Sequence, residues 1–281
     1  MMLSIASLFT WGLKFGIDFT GGTLMEIKFA NAVPANQELE DNLKDINLKS
    51  LTLQSTTNNS VLIRYASEED AVNQSVVKKM TEKYADSKQL RVDYINSSVS
   101  DELRKNSLWA LVWAVAGIMA YIAWAFRKVS RPVESWKYGA GAVIALAHDI
   151  IITVGIFSVL GHFKGIEVDI SFIAALLTIL GFSVHDTIVV YDRTRENLLR
   201  SSAREQFPEI VNRSLNETLV RSINTSLAVI ITLLAIYIFG GESIKNFSLA
   251  LLIGIGFGTY SSIFVASALL VTMYNFRANR K

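Results

Sequence analysis

The stretch "AALLTILGFSVHDTIVVYDRTREN" (174–197) joins an apolar helix to titratable side chains. It begins like a membrane-spanning helix, places His185 and Asp186 side by side among Val and Ile, and ends in alternating charges. A charged side chain at the centre of a bilayer costs about 2.5–3.5 kcal/mol on insertion scales, so such residues inside a span usually have a function. The stretch therefore predicts a membrane protein that uses a titratable group.

The composition agrees with a membrane protein. Hydrophobic residues make up 51% of the 281 residues, charged residues make up 19%, and the mean hydropathy is +0.34. Soluble domains are typically about 25% charged, so this chain is too apolar for that class. Because Cys is absent, disulfides and thiolate chemistry are excluded. The net charge of +2 does not indicate binding to nucleic acid.

Five apolar stretches are long enough to cross a membrane, which takes about 20 residues. They are residues 107–126, 138–160, 170–191, 222–239 and 247–274. The N-terminal "MMLSIASLFTWGL" (1–13) is apolar but too short, and no basic region precedes it as in a signal peptide. We interpret it as the end of a first span whose beginning is short or missing. The predicted architecture is then that of a helical membrane protein with six spans.

Basic residues predict the orientation, because Lys and Arg are enriched in cytoplasmic loops. One side of the predicted membrane carries only Lys164 and Lys245 in its loops, so that side is predicted to be outside. The other side carries Arg127, Lys128, Arg131, Lys137, Arg193, Arg195, Arg200, Arg204, Arg213, Arg277, Arg280 and Lys281.

Residues 22–105 read as a small domain outside the membrane, between a first segment (1–21) and a membrane domain (106–281). Alternating and helical patterns predict a strand, a helix, two strands, a helix and a strand, at 22–30, 35–46, 50–56, 60–66, 68–85 and 89–96. This β-α-β-β-α-β order is typical of an α+β ferredoxin-like fold. The domain lacks histidine and a phosphate-binding glycine loop, so we interpret it as a contact surface for a partner or a passing polypeptide. Neither an enzymatic active site nor a cofactor is predicted.

Four segments, in order along nearly the whole chain, resemble the SecF family of bacterial protein-export membrane proteins. They are "FGIDFTGGT" (15–23), "ALAHDIIITVGIF" (145–157), residues 174–197 and "RSINTS" (221–226). The chain departs from the family's usual pattern at His185, at Thr194 and at "NSSVS" (96–100). The resemblance implies a multi-pass protein of the bacterial cytoplasmic (inner) membrane in the RND superfamily. It also implies pairing with SecD, association with the SecYEG channel, contact with membrane lipid, and use of the proton gradient to help move an unfolded polypeptide outward.

The resemblance also implies roles for particular residues. Asp186 matches the family's proton-carrying aspartate, and Arg221 matches a functionally important arginine. His185 is a further candidate for proton coupling, because a histidine titrates near neutral pH. The remaining family-signature residues form turns near the membrane or a charged helix end: Gly16, Asp18, Gly21, Gly22, Asp192, Arg193, Arg195 and Glu196.

Other interpretations of these polar residues stay open at this point. Asp186 could lie at the cytoplasmic helix end, His185 could be a hydrogen-bonded core residue, and Arg221 could be a membrane-surface anchor. His148 and Asp149 repeat the His-Asp pair in another span, where hydrogen bonding between helices is favoured over a metal site. The spacing of Gly254, Gly258 and Ser262 predicts a helix-packing face.

Two rival functions also remain open. One is an RND-type proton-driven exporter of small molecules or lipids, against which the small outer domain argues. The other is a passive membrane chaperone or scaffold, in which Asp186 would have no role in proton coupling.

Overall fold

A computed structural model describes residues 1–56, 59–67, 69–127, 134–201 and 205–278. The turn-like "TNNS" (57–60) between the second and third predicted strands lies partly outside these ranges. The first residue of the predicted helix 68–85 also lies outside them, as do five of the predicted cytoplasmic basic residues: Lys128, Arg131, Arg204, Arg280 and Lys281. The chain divides into two compact units. One contains Met1–Lys14 and Leu108–Lys281, and the other contains Phe15–Ser107.

The elements follow in this order: α1 (Met2–Thr10), α2 (Ile17–Thr20), β1 (Gly22–Lys28), α3 (Asn36–Leu43), a 3₁₀ turn (Lys44–Ile46), β2 (Thr52–Ser55), β3 (Ser60–Tyr65), α4 (Asp70–Lys83), β4 (Lys88–Ile95), α5 (Ser97–Ala125), α6 (Ser135–Lys164), α7 (Ile170–Arg200), α8 (Phe207–Phe239), α9 (Glu242–Ser261), a π-helical turn (Ser262–Ala266) and α10 (Ser267–Ala278).

The unit Phe15–Ser107 contains one four-stranded antiparallel sheet with the strand order β2-β3-β1-β4. Side chains alternate along β1 and β3, so that Met25, Ile27, Val61 and Ile63 are fully or almost fully buried. They pack against the apolar faces of α3 and α4, from which Leu39, Leu43, Val76 and Met80 enter the same core. The order of elements and the antiparallel sheet confirm the predicted small α+β domain of ferredoxin-like type.

The membrane unit confirms the five predicted spans. Five helical segments are long and apolar enough to cross a membrane: Ser97–Ala125, Trp136–Lys164, Ile170–Arg200, Phe207–Phe239 and Ile244–Phe276. The last of these joins α9, the π-helical turn and α10. α5 begins at Ser97, so four residues of "NSSVS" are helical and the helix starts ten residues before the predicted span. The chain is a multi-pass membrane protein.

Residues 192–217, which lie between the predicted spans 170–191 and 222–239, are largely helical, which corrects the predicted ends of these two spans. α7 continues to Arg200 because pairs three and four residues apart support it, among them Arg193–Glu196 and Arg200–Glu196. α8 begins already at Phe207, after a capping box in which Gln206 and Glu209 satisfy backbone groups reciprocally. The basic residues of this region therefore lie mostly on helical extensions.

The short α1 packs closely on α6. Ser7 Oγ donates a hydrogen bond to the Gly155 carbonyl at 3.0 Å, and Ser158 Oγ donates to the Ser7 carbonyl at 2.9 Å. Ser4 and Ser7 are the buried residues of α1, whereas Met2, Leu3 and Phe9 are exposed. At 1.5 Å per residue, α1 covers about 14 Å of a hydrocarbon core about 30 Å thick.

α7 and α9 also pack through small residues, as the glycine spacing predicts. A β-carbon at Gly254 would overlap the Ile179 side chain, and one at Gly258 would lie 3.1 Å from Ser183 Cβ. This close approach brings polar side chains of the two helices within hydrogen-bonding distance.

Candidate functional site

Asp186 lies in α7 and is 2% exposed. The described residues offer its carboxyl one hydrogen bond, from Ser226 Oγ of α8 to Oδ2 at 3.4 Å. This distance is long for a hydroxyl donor, which normally lies at 2.5–3.0 Å. The same Ser226 hydroxyl lies 2.9 Å from the Ser222 carbonyl, and it has one proton for the two acceptors. Asp186 is thus a buried carboxyl that is only loosely held.

Arg221 and His185 lie beside Asp186, and both act electrostatically on its carboxyl. Both side chains are on the exposed side of their helices. Within the ranges that the structure describes, Arg221 and Asp186 do not form an ion pair within 4.0 Å. In this arrangement of the helices, the charged groups of Arg221 and Asp186 are therefore not in contact. The neighbouring Ser222 Oγ is buried and has no hydrogen-bond partner among the described atoms.

Asp149 of α6 is fully buried and is held much more firmly. Its Oδ2 accepts hydrogen bonds from Ser183 Oγ of α7 at 2.6 Å and from Ser261 Oγ of α9 at 2.7 Å. Its Oδ1 lies 3.0 Å from Nδ1 of the partly buried His148. The carboxyl thus ties three helices together by hydrogen bonds, which is the interpretation that we favoured over a metal site. In the described part of the chain, no group of three or more His, Cys, Asp or Glu residues could hold a metal ion.

One turn of α9 supplies hydroxyls to three neighbouring helices. Thr259 Oγ1 donates to Ser226 Oγ of α8 at 2.6 Å, and Ser261 Oγ donates to Asp149 of α6. Ser262 Oγ lies 2.9 Å from Thr187 Oγ1 of α7 and donates to the Ser183 carbonyl at 3.2 Å. We name residues 259–262 the hydroxyl turn. The π-helical turn starts at its last residue, and such turns are frequent at functional sites.

The hydroxyl turn was not predicted from the sequence. Ser262 was predicted only as part of a packing face, and no role was predicted for Ser183, Ser226, Thr259 or Ser261. The run "TYSS" (259–262) is a signal for the turn itself, since hydroxyl residues inside a span must bond either to their own helix or to a neighbour.

The charged end of α7 forms a network with α8. Arg193 donates to Glu196 at 2.6 Å and to Oε2 of Glu217, and Asn197 Nδ2 also donates to that oxygen at 2.7 Å. Arg195 lies 3.5 Å from Asp192, in an exposed pair. Of the predicted signature residues in this segment, Arg193 and Glu196 therefore join the network with Glu217, while Asp192 and Arg195 pair with each other.

The N-terminal signature residues build a tight turn in the unit Phe15–Ser107. Gly16 precedes the single-turn helix α2 with an ordinary φ of −77°, and Asp18 lies in its first turn. Gly21 and Gly22 have φ values of 70° and 116°, a region that favours glycine. A β-carbon at Gly22 would lie 2.6 Å from the Tyr65 carbonyl. The strict need for glycine is thus at positions 21 and 22.

These features define a class: a multi-pass helical membrane protein with buried carboxyls between its helices and a small α+β domain. Two family models match the sequence, "Protein export membrane protein SecD/SecF, C-terminal" over residues 75–276 and "SecD/SecF GG Motif" over residues 6–33. The chain belongs to the SecD/SecF family of protein export membrane proteins.

Individual relatives agree with this assignment. The chain is 46% identical to the protein translocase subunit SecF of Thermobaculum terrenum, over 95% of this chain and 87% of that protein. It is 36% identical to the subunit of the same name from Sebaldella termitidis, over 99% of this chain and 87% of that protein.

The solved structures include two of SecDF. The crystal structure of SecDF from Thermus thermophilus, a translocon-associated membrane protein, matches with a TM-score of 0.86 and 32% identity over 98% of this chain. A structure of SecDF in a super-membrane-facing form matches with a TM-score of 0.68 and 32% identity over 99% of this chain. This chain spans 36% and 37% of the two SecDF chains, respectively.

Proposed function

We propose that this chain is the SecF subunit of a proton-driven machine that assists protein export in the bacterial cytoplasmic membrane. In this proposal it pairs with SecD, associates with the SecYEG channel and uses the proton gradient to help draw an unfolded polypeptide outward. Residues 22–105 then lie outside the cytoplasm, where the polypeptide emerges. The function is that of a coupling subunit without an enzymatic active site or cofactor.

The observation that carries the proposal is the buried, loosely held carboxyl of Asp186. A proton carrier must change its charge inside the membrane. Because Asp186 is buried and the cation Arg221 of α8 acts on it, a change in its charge alters the interaction energy between the two helices. Each charge that crosses the membrane potential yields roughly 2.3 kcal/mol per 100 mV.

Two arrangements of the Asp186 region follow from its neighbours. When Asp186 is ionised, its carboxylate attracts both Arg221 and the single proton of the Ser226 hydroxyl. When Asp186 is protonated, the attraction to Arg221 weakens and Ser226 is free to bond to the Ser222 carbonyl at 2.9 Å. Proton entry from outside and release inside would alternate these arrangements, as a two-state element requires.

Pairing with SecD is supported by the polar groups that this chain leaves exposed in its spans. His185 and Arg221 lie on exposed helix surfaces, and contact between such groups and lipid is costly. A partner with polar groups at the same depth would cover them. Purification of the tagged chain from native membranes should recover SecD in stoichiometric amount, and a stable chain that is active alone would contradict the pairing.

The proton-coupling role is tested by Asp186→Asn, which removes the titratable group and keeps its size. We expect normal folding and complex assembly, with loss of the part of export that depends on the proton gradient. Asp192→Asn is the matched control, because it makes the same change in the same helix at an exposed position, and it should retain that dependence.

Arg221→Ala should resemble Asp186→Asn, and the double variant should lose little more, because residues that act as one unit are not additive. If Asp186→Asn assembles and keeps full gradient-stimulated export, the passive scaffold is the better description.

A further inference from the structure

We infer that Asp149 is a positioning residue for the Asp186 site and acts on it through the hydroxyl turn of α9 (residues 259–262). The inference rests on the proposed function, because it names a second carboxyl on which proton coupling depends. Asp149 itself is not placed on the proton path. Its role is to hold the hydroxyl turn in the orientation that Asp186 requires.

The contacts form a continuous route between the two carboxyls. Asp149 Oδ2 binds Ser261 Oγ at 2.7 Å, and Ser261 is two residues from Thr259 in the same turn. Thr259 Oγ1 donates to Ser226 Oγ at 2.6 Å, and Ser226 is the residue that donates to Asp186. A rotation of the hydroxyl turn therefore changes the hydroxyl that faces Asp186.

The two hydrogen bonds that the Asp149 carboxyl accepts give it control of this turn. A fully buried carboxyl must be satisfied by hydrogen bonds, and here two hydroxyls from different helices converge on one oxygen at 2.6 and 2.7 Å. Replacing the carboxyl by an amide changes the acceptors that Ser183 and Ser261 meet. The π-helical turn that begins at Ser262 interrupts the regular hydrogen-bond ladder just after this point, so α9 and α10 can adjust independently there.

The charged and titratable groups around the route come from three helices. His148 lies beside Asp149 on α6, His185 precedes Asp186 on α7, and Arg221 of α8 acts electrostatically on Asp186. α9 contributes hydroxyls to both carboxyl sites. A substitution in α9 can therefore alter the coupling without changing any charge.

The test uses two isosteric substitutions that differ in one contact. Thr259 Oγ1 and Thr178 Oγ1 both lie within hydrogen-bonding distance of a carbonyl in their own helix, at 2.9 Å from Ile255 and 2.8 Å from Ala174. Thr259 also donates to Ser226, whereas Thr178 is an exposed residue of α7 that is not part of the route. Thr259→Val should interrupt the route, and Thr178→Val is the matched control.

The measurement is export into membrane vesicles that contain the assembled complex, with and without a proton gradient, over a range of pH. We expect Asp149→Asn and Thr259→Val each to lower gradient-stimulated export about threefold or more and to move the midpoint of its pH profile by about half a unit. The gradient-stimulated export of the double variant should be no lower than that of the more impaired single variant, since the two substitutions interrupt one route. Thr178→Val should leave both quantities unchanged.

Unchanged stimulation and an unchanged pH midpoint in Asp149→Asn would overturn the inference, as would additive effects in the double variant. If Asp149→Asn prevents assembly, the inference is tested with Thr259→Val and Ser261→Ala, which keep the carboxyl. Wild-type behaviour of both variants would overturn the inference. Asp186→Asn separates the two proposals. If Asp186→Asn retains full gradient stimulation, the proposed function is wrong. If Asp186→Asn loses the stimulation while Asp149→Asn behaves like the wild type, only the inference about Asp149 is wrong.

Discussion

Gly155 of α6 lies directly against Ser4 of α1, so closely that a β-carbon at position 155 would overlap Ser4 Cβ and lie 2.9 Å from the Ser4 carbonyl oxygen. The two helices can therefore approach each other only because position 155 has no side chain. The hydrogen bond from Ser7 Oγ to the Gly155 carbonyl depends on the same approach.

Gly155→Ala should separate α1 from α6 and destabilise the protein by about 1–3 kcal/mol, as overpacking usually does. Thermal unfolding in detergent would measure this. Gly181→Ala is the control, because a β-carbon there meets nothing within 4 Å, and it should be neutral or slightly stabilising. Equal melting temperatures for the two variants would contradict the packing argument.

Gly22→Ala should destabilise the unit Phe15–Ser107, because it adds a clash with the Tyr65 carbonyl to the cost of a positive φ. Gly12→Ala in the membrane unit reports the cost of a positive φ alone, since Gly12 has a φ of 66° and open space around it. We expect a cost of about 1 kcal/mol for Gly12→Ala and at least twice that for Gly22→Ala. Pulse proteolysis in urea would measure Gly22→Ala, thermal unfolding in detergent would measure Gly12→Ala, and a smaller cost for Gly22→Ala would refute the ranking.

Arg193→Ala should destabilise the junction of α7 and α8, because it removes the cation that Glu196 and Glu217 share. Arg195→Ala removes an exposed pair at 3.5 Å and should cost at most about 0.5 kcal/mol. Thermal unfolding of the two variants side by side is the measurement, and a larger loss for Arg195→Ala would refute this ranking.

The unit Phe15–Ser107 should lose stability at high pH through Tyr65. Its side chain is 1% exposed, and its hydroxyl donates to Asn73 Oδ1 at 2.6 Å. Burial raises the pKa of Tyr65 from 10.0 to about 12. The neutral phenol therefore contributes stability that is complete below pH 10 and is lost as the pH rises toward 12, to a total of about 3 kcal/mol.

Tyr65→Phe should remove this part of the pH dependence. Tyr94→Phe, at a position that is 63% exposed, should leave it in place. Urea unfolding of the unit Phe15–Ser107 in the full-length protein, followed by pulse proteolysis between pH 9 and pH 12, would measure the difference. A wild-type pH profile in Tyr65→Phe would exclude Tyr65 as the cause.

Hydropathy and side-chain alternation were sufficient to predict the five spans and the ferredoxin-like order of strands and helices in the unit Phe15–Ser107, because both patterns report burial directly. The ends of α7 and α8 were predicted too short, since charged residues such as Arg193 and Glu217 look like a loop until their ion pairs are known. Tertiary contacts decide such boundaries.

The candidate site was predictable in part. Asp186 and Asp149 are conspicuous because charge is rare in an apolar helix. Ser226, Thr259 and Ser261 are not, because a hydroxyl inside a helix can always bond to its own backbone. Their role depends on which helices are neighbours, and the sequence pattern does not contain that information. The separation of Arg221 from Asp186 depends on helix rotation in the same way.

The strand order of the four-stranded sheet also has a consequence for biosynthesis. β1 is made first but lies in the interior of the sheet, and its register with β4 joins Gly22 to Ile95, at opposite ends of the domain's sequence. One edge of β1 therefore stays unpaired until the ribosome has released the chain beyond Ile95, and pairing across so long a separation is slow. During that interval the open edge can bind other extended chains. A chaperone that covers this edge until β4 has been synthesised would prevent such pairing.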